Sequence, residues 1–258
     1  MKPQEQIINW LKDYSATSHT KGFVIGVSGG IDSAVVSTLC AMTELPVIVI
    51  NMPIRQGGAE YQRAVEHIEW LKSNFKNVTA DEVNLSMAFT AIESSLNSEI
   101  QLNHLAMANT RSRLRMITLY AYATQHKMLV VGTGNKVEDF GVGFYTKYGD
   151  GGVDISPIAD LMKSEVYALG AELGIINSIL QARPTDGLWS DGRTDEDQIG
   201  ATYDELEWAM LYEEARPTEK IILKLKMTDR QKEVLEIYKR FHSSNLHKMI
   251  PIPVCKIK

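Results

Sequence analysis

Three short apolar runs, at 23–27, 47–52 and 128–132, and a weaker one at 78–83, recur along the first half of the chain. Each has the length of a strand and leads into turn-forming or polar residues, so each predicts a strand. The run Val-Ile-Val-Ile-Asn-Met at 47–52 shows no alternation, the habit of a strand buried on both faces of a parallel sheet. Between these runs the apolar positions recur at helical spacing. Ile7, Ile8, Trp10 and Leu11 predict an amphipathic helix, with 15–22 a polar connection behind it. Ala34, Val35, Val36 and Leu39 predict a helix over 31–42, and Tyr61, Val65, Ile68 and Leu71 one over 60–74. Within the latter, His67 reads as a packing or surface histidine, because no second ligand stands at i+4. Further helices are predicted over 87–96, 99–126, 163–173, 203–212 and 217–226. Thr228-Asp229-Arg230-Gln231 has the spacing of a capping box before a helix reaching 241, and His247-Lys248 falls in a short segment closing at Pro251 and Pro253. Strands alternating with helices predict an α/β fold: an open, mostly parallel, doubly wound sheet with helices on both faces, in a single domain over 1–258.

The pattern is interrupted where chemistry concentrates. Ser28-Gly29-Gly30 must turn the chain from the first strand into the helix at 31, and a helix N-terminus with uncancelled N–H groups favours an anion. A glycine pair there also serves any tight strand-to-helix connection. Ser28, Ser33 and Asp32 add to it: hydroxyls can donate to phosphate, and a carboxylate one turn away repels phosphate unless a cation such as Mg²⁺ bridges them. There is no Walker-type Gly-x-x-x-x-Gly-Lys-Ser/Thr and no Gly-x-Gly-x-x-Gly after a strand. The fourth strand runs into Gly132-Thr133-Gly134-Asn135, delivering polar groups to the same sheet edge, with Glu138 placed to share a metal with Asp32.

Two further stretches lack periodicity. Residues 140–158 are too rich in glycine for a helix or regular strand and too aromatic for a linker, which reads as a binding loop: Lys147 offers charge, its aromatics flat faces, Asp154 acceptors. The polar stretch 183–200 reads as a mobile cover over a site. Arg111, Arg113 and Arg115, two residues apart on a helix, point in different directions and cannot form one solvated stripe. Lys163, at a helix start, has the wrong sign for the helix dipole, which favours a phosphate contact.

The formal charge of −5 gives no whole-chain reason to expect nucleic acid, whereas small anions need only a few placed cations. Two distant cysteines, Cys40 and Cys255, read as free thiols of a reducing compartment. With no leader-like start and no apolar run able to span a bilayer, the expected location is the cytoplasm, away from membranes.

Ser-Gly-Gly-Ile-Asp-Ser at 28–33 resembles the pyrophosphate loop of the ATP pyrophosphatases, a motif shared by GMP synthetases, asparagine synthetases and tRNA-thiolating enzymes. Asn-x-x-x-Arg-x-Arg-Met at 109–116, Gly-Thr-Gly-Asn at 132–135, Tyr-Thr-Lys-Tyr-Gly-Asp-Gly-Gly-Val-Asp-Ile at 145–155 and Pro-Thr at 184–185 extend the likeness over essentially the whole chain. Together they resemble the ammonia-dependent NAD⁺ synthetases. That resemblance implies a Rossmann-like fold of the ATP pyrophosphatase type and amidation of deamido-NAD⁺ by ammonia through an acyl-adenylate, with release of AMP and pyrophosphate. It implies ATP contacts at Gly26, Val27, Ser28, Gly29, Gly30, Ile31, Asp32, Ser33, Thr133, Lys163 and Thr185, and Mg²⁺ on Asp32 and Glu138. Arg113, Lys147, Asp154, His247 and Lys248 match positions that bind deamido-NAD⁺, and a homodimer with shared sites is expected. No side-chain nucleophile is required. Gly134 stands where many relatives carry an acid, and one extra residue lies between Glu138 and Thr146. The nitrilase-like domain of glutamine-dependent relatives is not in the sequence, so free ammonia or a separate donor protein is expected. The rivals are another ATP pyrophosphatase-type ligase and a non-catalytic adenine-nucleotide sensor.

Overall fold

The computed structural model describes residues 2–55, 58–185 and 194–257. Strands β1 (Phe23–Gly26), β2 (Val47–Asn51), β3 (Val78–Glu82) and β4 (Leu129–Val130) form one parallel sheet in the order β3-β2-β1-β4. The order runs outward from β1 in one direction for β2 and β3 and in the other for β4. The switch point, where ligands collect in such sheets, is therefore the crevice beyond the carboxyl ends of β1 and β4.

Helices α1 (Pro3–Thr17), α2 (Ile31–Ala41), α3 (Ala59–Asn74), α4 (Ser86–Ser95), α5 (Ser98–Gln101) and α6 (His104–His126) precede β4 or connect the strands. A π-helix (Val137–Val142) follows β4, and then α7 (Lys163–Glu172), α8 (Asn177–Leu180), α9 (Asp195–Ile199), α10 (Tyr203–Glu214), α11 (Pro217–Leu225) and α12 (Asp229–Met249). Successive side chains of a strand face opposite sides, and the core divides accordingly. Phe23, Ile25, Val47 and Val49 pack with α2, α3 and α7. Val24, Ile48 and Ile50 pack on the other face with Phe89 of α4 and Met107 and Leu114 of α6. A separate apolar cluster joins the π-helix to α10 and α12 through Val137, Val142, Leu206 and Tyr238.

The structure redraws several predicted boundaries. α1 runs through part of the predicted polar connection, because Ser15 is buried and Thr17 returns its hydroxyl to the Asp13 carbonyl at 2.9 Å. The run at 99–126 is two helices: the Asn103 side chain accepts the Ala106 N–H at 3.0 Å and starts a new one. The glycine-rich stretch opens inside the π-helix, and its Gly143 leaves it at φ +64° with a Cβ there overlapping Asn245 of α12. Part of its glycine content thus serves close packing rather than ligand approach. α12 continues past 241, so His247 and Lys248 lie in its last turn. The capping box at Thr228–Gln231 forms, with both reciprocal hydrogen bonds. His67 is a packing histidine: fully buried, its Nε2 3.0 Å from Ser37 Oγ and its ring stacked on Trp70. Of the predicted cover, 186–193 lie outside the described residues, and 195–199 form α9.

Candidate active site

The turn after β1 is pinned by its own side chains. The Val27 N–H continues the sheet to the Ile50 carbonyl, and Gly30 caps α2, whose first residue, Ile31, is buried. Ser33 Oγ accepts the Ser28 N–H at 3.2 Å and lies 3.1 Å from Ser28 Oγ, and the Gly30 N–H donates to Ser28 Oγ. Gly29 adopts φ +83°, and a Cβ there would overlap the Glu60 carbonyl at the start of α3. Conformation and close approach both demand glycine. Arg63 of α3 donates from Nε to the Gly29 carbonyl at 3.1 Å, bringing a guanidinium beside the turn. The helical pattern at 60–74 gives no signal for it.

Beneath the turn three residues far apart in sequence meet. Lys163 Nζ lies 2.6 Å from Asp32 Oδ2 and 3.1 Å from Glu138 Oε1. Asn135, fully buried, donates its side-chain amide to Asp32 Oδ1 at 3.1 Å and accepts the Glu138 N–H at 3.2 Å, locking the two acids together. The Tyr203 hydroxyl lies 2.5 Å from Glu138 Oε1 and 3.2 Å from Asp195 Oδ2, and the Lys163 ammonium stands 4.6 Å from the Tyr203 ring centre. Neither Tyr203 nor Asp195 carries a sequence signal, since each lies at the start of an ordinary capped helix. Asn135 was visible only as part of its motif.

Burial opposes every charge in this cluster, and the pairing outweighs it at Lys163 and Glu138 but not at Asp32. For Lys163 the two carboxylates outweigh burial and hold its ammonium above the usual lysine range. Burial pushes the Asp32 carboxyl up against the opposing pull of Lys163, while Glu138 is held down despite burial by Lys163, Tyr203 and Asn135. Asp139 forms no ion pair among the described residues: burial, then Glu138, push its carboxyl up to about 8. A Cβ on Gly134 would overlap that carboxylate. The Asp139 carboxylate thus fills the space beside Gly134. Among the described residues no group of three or more His, Cys, Asp or Glu side chains forms a protein-only metal cage.

A second set of predicted residues gathers on the far side of the glycine-rich segment. Arg113 Nε donates to the Lys147 carbonyl at 3.3 Å, Lys147 Nζ to the His247 carbonyl at 2.7 Å, and Lys248 Nζ to the carbonyls of Gly143 and Tyr145 at 2.6 and 2.7 Å. His247 Nδ1 lies 3.1 Å from the Ser244 carbonyl. Two of the recognised motifs hold each other here: Asn109 accepts from Thr146 Oγ1 at 2.6 Å, and Ser112 Oγ donates to Asp150 Oδ1 at 2.6 Å. The three alternating arginines do diverge, Arg111 over the Phe89 ring and Arg115 to the Met52 carbonyl. A cavity of about 200 Å³ opens between the two sets, lined by Gly132, Gly134, Asp139, Tyr145, Asp150 and Lys248 among others. Thr133 lies on the same loop. Asp154 stands apart: its Oδ1 accepts from the Tyr120 hydroxyl and its Oδ2 from the Val130 N–H, so both oxygens serve the chain itself. Thr185 ends the described segment before 186, beside Pro184, whose carbonyl accepts the Asp195 N–H.

A parallel sheet with a pinned glycine turn at its switch point, and an acid–lysine cluster beneath, is an α/β fold of the Rossmann-like, ATP pyrophosphatase type. The family model for NAD synthase matches residues 4–251, and the chain belongs to that family. It is 39% identical to the NH(3)-dependent NAD(+) synthetase of Alkaliphilus metalliredigens, covering 98% of this chain and 97% of that one. Its identity to the Mycoplasma genitalium protein of the same name is 39%, over 80% of this chain and 82% of the relative. The NMN synthetase structure from Francisella tularensis superimposes with a TM-score of 0.83 at 33% identity, covering 100% of both chains.

Proposed function

We propose that the protein is a ligase that converts the nicotinate carboxylate of deamido-NAD⁺ to the amide of NAD⁺, using ATP and ammonia. A carboxylate is not displaced by ammonia at neutral pH, so activation comes first. A carboxylate oxygen attacks the α-phosphorus of ATP, the bond to the β-phosphate oxygen breaks, and pyrophosphate leaves. Ammonia nitrogen then attacks the acyl carbon, the bond to AMP breaks, and a proton is lost from nitrogen. The observation that carries this reading is the convergence of Asp32, Glu138 and Lys163 under the Ser28–Ser33 turn.

In this scheme the turn at 26–33 receives the departing pyrophosphate through Ser28, Ser33 and the first N–H groups of α2, and Thr133, Lys163 and Thr185 complete the ATP contacts. Two part-buried carboxylates, with no third His, Cys, Asp or Glu grouped with them among the described residues, suit Mg²⁺, which favours one or two carboxylates plus phosphate oxygens. Asp32 and Glu138 would hold it, and when bound it offsets charge on the phosphates. Arg113, Lys147, His247 and Lys248 receive the phosphates and carboxylate of the dinucleotide, with Asp154 at the edge of the set. Catalysis is positioning and electrostatics rather than covalent chemistry. Exposed Met87, Leu102, Leu105 and Ile117 on or beside α4–α6 support a homodimer, and the unpaired cysteines suit the cytoplasm.

The test supplies ATP, Mg²⁺, ammonium and deamido-NAD⁺ and follows NAD⁺ and pyrophosphate, expected in equal amounts. Pyrophosphate release without deamido-NAD⁺ rejects the reading, and nucleotide binding without turnover favours a sensor. The full-length match to an NMN synthetase favours one second reading, with nicotinate mononucleotide as acyl substrate. The amidation is the same, and the ratio of kcat/KM for the two acids decides between them.

A further inference from the structure

We propose that Lys163 is the resident counter-ion of the Asp32–Glu138 pair and makes divalent-metal binding there depend on a phosphate-bearing ligand. The proposal rests on the reading that these two carboxylates hold the metal.

The ammonium is seated as an ion is seated. It contacts one oxygen of each carboxylate, at 2.6 and 3.1 Å, and its side chain is only 4% exposed. The Tyr203 ring covers it, and the hydroxyl of the same tyrosine takes a further lone pair of Glu138 Oε1. Asn135 takes the other oxygen of Asp32. A metal ion bridging this pair competes with the ammonium for the position between the two carboxylates, and two cations at one pair repel each other. Lys163 is the first residue of α7, and its flexible stem can carry the ammonium away without moving the helix. Leaving is favourable only if an anion receives it, because an unpaired ammonium in a buried site is costly. A phosphate on the nearby turn is such an anion. Metal and nucleotide then favour each other's binding reciprocally.

Mn²⁺ serves as the probe, titrated without nucleotide against wild type, Lys163→Gln and Lys163→Met. Both variants are expected to bind Mn²⁺ about tenfold more tightly than wild type, or better. Mn²⁺ should raise the variants' Tm and leave the wild type's unchanged. Adding Asp32→Asn to Lys163→Gln should erase the gain. Equal Mn²⁺ affinity in wild type and variants overturns the proposal. So does a variant that stays unfolded at every Mn²⁺ concentration, because the pair then needs the lysine and accepts no other cation. Mn²⁺ binding with a non-hydrolysable ATP analogue, compared between wild type and Asp32→Asn, separates the two claims. If Asp32→Asn abolishes it while Lys163→Gln gains nothing, the metal assignment stands and the counter-ion role falls. If Asp32→Asn has no effect, the metal assignment itself falls.

Discussion

The two halves of the site are built by opposite rules. Under the turn, a buried ammonium is answered by two part-buried carboxylates, Lys163 by Asp32 and Glu138, with Asn135 and Tyr203 adding a hydrogen bond to each acid. Around the glycine-rich segment the cations donate instead to main-chain carbonyls, and among the described residues Arg113, Lys147 and Lys248 form no ion pair. A buried pair has a fixed geometry and a balanced charge, which suits chemistry that depends on position. Cations held by neutral carbonyls keep their charge for an incoming anion, which suits recognition. The acid–lysine half is closed on itself, and the half around the glycine-rich segment is electrically open.

The variant expected to do most damage breaks the closed half. Asp32→Asn should lower turnover on the order of 100-fold or more while circular dichroism is unchanged. A variant with normal turnover would show that the cluster is structural only. On the open half, Lys147→Ala and Arg113→Ala should each raise KM for the dinucleotide about tenfold with KM for ATP unchanged. A matching rise in KM for ATP would mean that the halves are not separable. Tyr203→Phe keeps the ring over Lys163 and removes the hydroxyl from Glu138. It should cost roughly tenfold in metal affinity, measured with Mn²⁺ and an ATP analogue, with Tm little changed. The smallest effect concerns Asp139, an acid on the cavity between the halves that forms no ion pair among the described residues. Its carboxyl sits at about 8 in the fold against an ordinary value of 3.8, so the folded state binds the extra proton between those values. Stability from this group therefore falls as pH rises from about 4 to 8 and is flat above. Melts of Asp139→Asn from pH 5 to 9 should lack that component, and an unchanged slope would place the titration elsewhere.

How far each half was legible follows from what periodicity can encode. The strands and most helices were readable because an apolar pattern is a direct record of which faces are buried. The break at Asn103 went unread because 99–126 keeps a helical composition across it, and the cap depends on one side chain turning back. The glycine-rich stretch reads as a loop by composition, yet it begins within a π-helix whose glycines permit the approach of α12. On the site, Asp32, Glu138 and Lys163 were each noticeable, the first two as acids beside phosphate-type turns and the third as a lysine at a helix start. Tyr203 and Arg63 were not, because a tyrosine opening a capped helix and an arginine on an amphipathic one look the same whether or not they reach a site.

The sequence by itself determined the strand and helix order, the Ser28–Ser33 turn and the motifs that mark the family, since these are local or depend on residue type alone. Only the tertiary structure decided that Lys163 takes both carboxylates, that Asp139 fills the space beside Gly134, and that Asp154 turns both oxygens to Tyr120 and Val130. The first and last join distant segments brought together by the pairing of β4 with β1 and the helices packed around it, and the second depends on how the π-helix folds back on its own loop. A contact between distant segments is a competition among partners within a few ångströms, and the chain settles it only once folded.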